Sequence, residues 1–185
     1  MLGTSKDIKY PGLNILPPGV ERHVVNGGGL TGFQVFPDDE IEIVNNEGNQ
    51  ICEIICFDKS GKSELGIFNL KENSKKNYIK NILLGKDESI LATNYQLKKR
   101  NLNISDSHAA IIFDPDTNAG EVIKLKSKDK CYAIFASPGD DMDVTNQNPP
   151  GELTIFIKRS KITNDKELNV IPDPVFEPAH EENIL

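Results

Sequence analysis

The 185-residue chain has no tryptophan, two methionines, three histidines and three cysteines. Each shortage excludes something. Without tryptophan, and with aromatic residues at 6%, a core has to rest on Ile, Leu, Val and Phe. Three cysteines are an odd number without framework spacing, which excludes a disulfide scaffold and points to reduced thiols in a cytoplasm. No apolar run approaches the ~20 residues of a membrane helix. The opening stretch MLGTSKDIKYPGLN lacks the apolar core of a signal peptide. Basic residues are also in deficit, 21 against 28 acidic for a net charge of −7. That balance argues against nucleic acid or an anionic membrane as partner.

What is present is strand pattern. Between Glu21 and Asp58, the runs ERHVV, NGGGLTG and FQVFPDDEIEIVNNEGNQICEIICFD read as four short strands separated by turns. Phe33, Val35, Ile41 and Ile43 recur at the two-residue period of half-buried strands. Pro37-Asp38-Asp39 and Asn45 to Asn49 supply turn chemistry. Ile51 to Phe57 is almost wholly apolar, as in a strand buried on both faces. A helix is expected from Asn73 or Ser74, with Tyr78, Ile79, Ile82 and Leu83 on one face and Gly85 as its C′ residue. A second helix is expected from Ser89, carrying Ile90, Leu91, Asn94 and Leu97 inward and ending at Lys98-Lys99-Arg100, where cations suit the dipole. Strands resume at AAIIF (109–113), Glu121 to Leu125, KCYAIFA (130–136) and ELTIFIK (152–158). The expected fold is mainly β, a largely antiparallel β-barrel or sandwich with a two-helix insertion at about 73–101. Residues 1–20 read as an extended N-terminal arm, 21–160 as the β-rich domain, and 161–185 as an extended tail or linker.

The candidate motifs each have a plain structural reading beside the chemical one. Gly27-Gly28-Gly29-Leu30-Thr31-Gly32 matches G-x-G-x-x-G, but strand pattern follows it where a dinucleotide site needs a helix. A glycine-rich bend between strands accounts for it. Asp114-Pro115-Asp116-Thr117-Asn118 begins like a calcium loop, yet Ala119 and Leu125 stand where glycine and glutamate are required. Cys52 and Cys56 share a strand face about 13 Å apart, at ~3.3 Å per residue, too far to chelate one ion by themselves. A zinc site drawn from Cys52, Cys56, Cys131, His23 and His108 competes with buried inert thiols. The most distinctive polar stretch is the loop holding Asp140, Asp141, Asp143 and Asn146. Its carboxylates suit a metal or an amine, or simply solvent. Asp140, Asp141, Asp143 and Asn146, with Gly27, Gly28 and Gly29, are the candidate binding residues; no catalytic set stands out.

PPGVERHVVNGGG, PDDEIEIVNNEGNQICEIICFD and SPGDDMDVTNQNPPGELTIFIKR together cover about half the chain. On these pieces the chain resembles the N-terminal region of large marine bacterial proteins. Those proteins join a urea-carboxylase-associated-type domain to an aminomethyltransferase (glycine-cleavage T-protein-like) domain. The resemblance implies that folate and aminomethyl chemistry belongs to a later domain, into which the tail from Ile171 to Leu185 would lead. It implies a non-catalytic accessory module of one-carbon or amine metabolism, without a cofactor of its own. Its partner would be an adjacent domain of a longer chain or another protein, with a small metabolite as possible ligand. The associated family is described by a metal held through Cys and His. The alternative is therefore a small zinc-dependent hydrolase of a carbon–nitrogen bond, with Cys131, His108 and the Asp140/Asp141/Asp143 loop converging. A third reading is a sugar- or carboxylate-binding barrel whose pocket the bend at Gly27 to Gly29 opens.

Overall fold

The computed structural model describes residues 16–139 and 149–161. Its strands are β1 (Val20–Val25), β2 (Leu30–Val35), β3 (Glu40–Asn45), β4 (Glu53–Asp58), β5 (Ala110–Ile111), β6 (Glu121–Lys126), β7 (Cys131–Ala136) and β8 (Leu153–Lys158). They form two four-stranded sheets in the orders β1-β8-β3-β6 and β2-β7-β4-β5. Every pairing is antiparallel. Successive strands alternate between sheets over β1 to β4, and this interleaving is the jelly-roll order. The fold is thus the expected mainly antiparallel β class, closed as a sandwich.

Alternation along the strands decides what lies between the sheets. Val25, Ile41, Ile43, Leu125, Leu153, Ile155 and Ile157 from one sheet meet Phe33, Val35, Ile54, Cys56, Ala133 and Phe135 from the other in one buried core. The second sheet has an apolar outer face as well. Leu30, Ile55, Phe57, Tyr132, Ile134 and Ala136 form a separate cluster with Ile79, Leu83, Ile90 and Leu97 of two helices. Those helices, α1 (Tyr78–Ile82) and α2 (Glu88–Lys99), fall inside the expected insertion. Both faces of β4 and β7 are therefore buried, which is what their continuous apolar runs require.

Several boundaries differ from the sequence expectation, each for a tertiary reason. Neither Asn73 nor Ser74 caps α1. The Asn73 side chain pairs with the backbone of Ile111, accepting at 2.6 Å and donating at 3.0 Å. Ser74 donates to the buried carboxylate of Glu53. The other oxygen of Glu53 accepts from the Ile79 N–H at 2.7 Å, so a strand residue 26 positions away satisfies an orphan donor of α1. The cap itself is Asn77, in left-handed conformation at φ 46°. α2 begins at Glu88, one residue ahead of the expected start, with Asp87 at its N-cap. Within α2, Ile90, Thr93 and Leu97 point inward, whereas Leu91 is 41% exposed. Asn94 donates to Leu83 O at 2.9 Å and ties the helices together. Of AAIIF, Ala110–Ile111 form β5.

One side chain joins the sheets at their rim. Arg159 follows β8 and donates through Nε and Nη2 to both oxygens of Glu21, at 2.6 and 2.9 Å. Its Nη1 donates to Asp39 at 2.7 Å and to the Gln34 carbonyl at 2.9 Å. Asp39 is 1% exposed and also accepts from the Phe36 and Ser160 N–H groups. Burial would raise the Glu21 pKa, but hydrogen bonds from His23 and Arg159 outweigh it and hold the carboxyl at about 2, below its ordinary 4.5.

Candidate functional site

The glycine bend and the two ends of the acidic loop, far apart in sequence, meet at one end of the sandwich. Asp140, Asp141, Asp143 and Asn146 themselves lie outside the described residues; the two ends of their loop do not. Gly28, at φ 76°, donates to Ser137 O at 2.7 Å, and Ser137 N donates to Gly29 O at 3.0 Å. Ser137 Oγ donates to Gly151 O at 2.6 Å. Buried Gln50 braces both ends, donating to Pro138 O at 2.8 Å and accepting from Gly151 N at 2.7 Å. A Cβ on Gly27 would sit 1.8 Å from the Pro150 carbonyl oxygen. Gly27 thus admits the returning chain, and Pro150 fills the space against it. No helix follows the bend, since β2 begins at Leu30. A hollow of about 480 Å³ does lie beside Gly139, lined by Lys76, Tyr78, Asn81, Ile82, Pro138 and Gly139.

The cysteine and histidine candidates are placed in different surroundings. Cys52, Cys56 and Cys131 are free thiols in the inter-sheet core. Burial pushes the Cys131 thiol up to about 12, and Cys52 and Cys56 are raised further by the same cause. Burial keeps all three in the thiol form at neutral pH. Cys56 donates to the Glu64 carbonyl at 2.9 Å. His108 is over half exposed, with Nδ1 2.9 Å from Glu72. His23 stacks on Phe33 at 4.8 Å between centroids and meets Glu21 at 3.1 Å. Cys131 in the core and this exposed His108 do not share a site, and among the described residues no group of three or more His, Cys, Asp or Glu side chains is gathered around a possible metal position. The Asp114 to Asn118 stretch is a turn closed by Thr117, whose N–H and hydroxyl both donate to Asp114 O.

At the opposite end of β7 is a cleft of about 550 Å³. Its walls come from β2 (Gln34), the turn after β4 (Lys59 to Gly61), the end of α2 (Arg100 to Leu102) and the start of β7 (Lys130 and Tyr132). The helix end is locked locally. Asn101 adopts φ 54°, Leu102 N donates to Leu97 O at 2.9 Å, and Asn101 N donates to Lys98 O at 3.0 Å. This is a Schellman closure with asparagine at C′, and it holds Arg100 at the rim. The guanidinium stacks over the Tyr132 ring at 5.1 Å and donates from Nη2 to Gln34 Oε1 at 3.3 Å. Among the described residues, Arg100 Nε and the Tyr132 hydroxyl are buried without a hydrogen-bond partner. Burial raises the Tyr132 pKa and the neighbouring Arg100 lowers it, leaving the phenol above its ordinary range and protonated at neutral pH. Gly32 makes room for this ring, because a Cβ there would lie 2.4 Å from the hydroxyl oxygen.

No family model matches the chain. The chain is 32% identical over 172 residues to a trimethylamine-oxide aldolase of Ruegeria pomeroyi. That alignment takes in 93% of this chain but spans 22% of the aldolase's length. Among solved structures, a DUF1989 family protein from Silicibacter pomeroyi aligns with a TM-score of 0.44 at 13% identity, over 84% of this chain and 83% of that one. Among the described residues, no helix is long and apolar enough to cross a membrane.

Sequence reasoning passed over Arg100 and Tyr132. Arg100 stands in a cationic run that helix-end electrostatics already accounts for. Tyr132 stands in KCYAIFA, where strand period accounts for it. The signal that remained was the position of Tyr132 on the face it shares with Ile134 and Ala136, where a hydroxyl needs a partner.

Proposed function

We propose that this chain is an accessory β-sandwich module of a trimethylamine-oxide-aldolase-type enzyme, supporting assembly or substrate delivery in small-amine metabolism. The observation that carries this reading is the 32% identity over almost the whole chain to a segment amounting to 22% of such an enzyme. The chemical inventory of the described residues agrees with it: the thiols are buried and protonated, and the two histidines are engaged by separate glutamates. In this reading the bond-breaking groups, and the folate-binding aminomethyltransferase domain that the sequence resemblance implies, reside in other parts of the enzyme. The partner of this module is then an adjacent domain or a protein that carries those parts.

The test is an exchange. The matching segment of the Ruegeria pomeroyi aldolase is replaced by this chain, and loss of trimethylamine oxide is followed by NMR. The chimera is expected to consume trimethylamine oxide, the aldolase lacking the segment to be inactive, and the isolated chain to be inactive with or without added zinc. Turnover by the isolated chain would overturn the non-catalytic reading, and an inactive, folded chimera would overturn the assignment to this enzyme type.

A further inference from the structure

Behind the Arg100 rim of the cleft, two buried donors lack acceptors among the described residues. We propose that the cleft is a binding site for a small organic carboxylate, held by Arg100 and the Tyr132 hydroxyl.

The argument starts from satisfaction of buried polar groups. A buried donor without a partner costs free energy comparable to a lost hydrogen bond, and most such groups in native proteins are paired. Among the described residues two donors are orphaned here, Arg100 Nε and the Tyr132 hydroxyl, and Tyr132 is 5% exposed. Among the described residues the guanidinium makes a hydrogen bond to Gln34 at 3.3 Å, and its Nε–H has none. What complements two donors and a positive charge is an oxyanion.

The surroundings favour the same class. Lys59 and Lys130 bring two further positive charges to the walls. Lys59 lies 3.9 Å from Asp129, and Lys130 rests over the Phe36 ring, so both remain at the rim. The one carboxylate among the lining residues, Asp58, is committed to its own turn. It accepts from Ser60 N and Lys62 N at 2.8 and 3.0 Å, and from Ser60 Oγ at 2.7 Å. The balance of charge in the cleft is therefore positive, although the whole chain is negative. A guanidinium fork matches the planar carboxylate in a bidentate manner. Leu102 offers apolar surface to a carbon skeleton. A space of about 550 Å³ is of the size that holds a small metabolite. Access to the two shielded donors needs a rotamer change of Arg100 away from its long contact with Gln34. A carboxylate that accepts from Nε and Nη2 supplies the stronger, charge-assisted replacement.

This site is independent of the proposed aldolase-type role, and its test does not depend on that role. The 15N-labelled chain is titrated with acetate, succinate and inorganic phosphate while the arginine Nε–H resonances are followed, and affinities are measured by calorimetry. Saturable binding of succinate or acetate that moves the Arg100 Nε–H signal is expected. Arg100→Gln should weaken that binding at least tenfold. Tyr132→Phe should weaken it several-fold while leaving the melting temperature of the free chain unchanged or raised, because its hydroxyl has no partner to lose. The wild-type titration decides the matter even where a variant does not fold. The site is overturned if neither carboxylate shifts the Arg100 resonance, if phosphate alone does so, or if folded Arg100→Gln binds as tightly as the wild type.

Discussion

The two sheets of this sandwich have the same strand count and the same antiparallel pairing, yet they use their outer faces in opposite ways. On the sheet ordered β1-β8-β3-β6, the outward positions include Glu40, Glu42, Lys124 and Lys126, with a Lys124–Glu42 ion pair at 2.7 Å. Val122 is 43% exposed there. On the sheet ordered β2-β7-β4-β5, the corresponding positions are Ile55, Phe57, Tyr132, Ile134 and Ala136, all under α1 and α2. One sheet therefore stabilises through a single face, and the other belongs to two cores at once. The difference also explains where a ligand site can form. A strand with both faces covered has to place any polar side chain under a neighbour, and Tyr132 is such a residue. A solvent-facing strand satisfies its polar groups with water and builds no enclosed cleft.

The comparison is broken most severely where the sheets are tied together. Arg159→Ala leaves Asp39 buried without its cation, and a loss of about 3–5 kcal/mol of unfolding free energy is expected in urea titrations. A loss under about 1 kcal/mol would mean that the rim junction contributes little to holding the sheets. The next effect belongs to the covered sheet. Ile134→Ala should cost about 2–5 kcal/mol by the cavity it opens beneath the helices. Acid should act on the rim in a defined window. Glu21 titrates at about 2 in the folded chain against an ordinary 4.5, so its stabilisation is full above about 4.5 and is lost as pH falls toward 2. After allowance for its half-exposed position, a loss on the order of 1–2 kcal/mol is expected, and a folded Arg159→Met variant should show a shallower acid limb. Val122→Ala on the solvent-facing sheet closes the series at no more than about 0.5 kcal/mol. Equal costs at Val122 and Ile134 would remove the distinction between the two sheets.

Much of the fold was legible because strand period and turn chemistry are local. Val20–Val25, Glu53–Asp58 and Cys131–Ala136 lie where alternating or continuous apolar runs placed them. The run at β4 even announced burial on both faces. The start of α1 was misplaced because its backbone is satisfied from a distance, by Glu53, while Asn73 and Ser74 were drawn away to Ile111 and Glu53. Leu91 was assigned inward, but the face of α2 that is buried carries Ile90, Thr93 and Leu97 and leaves it 41% exposed. The candidate site was less legible. The glycine bend was identified correctly as a bend, but its counterpart, Pro150, is over 120 residues away. Arg100 and Tyr132 each had a sufficient local explanation, so nothing in their neighbourhoods asked for another.

By itself the sequence determined the class: short amphipathic and fully apolar strands, polar turns, reduced cysteines and two helices between strands. Those properties depend on residues within a few positions of one another, where side-chain alternation and turn preference act. Tertiary structure alone decided the interleaved strand order, the helix-covered face and the meeting of the glycine bend with the ends of the acidic loop. It also decided that a helix-end arginine would lie over a buried tyrosine. These are contacts across long separations in the chain, and they arise because two apolar faces of one sheet must both be covered.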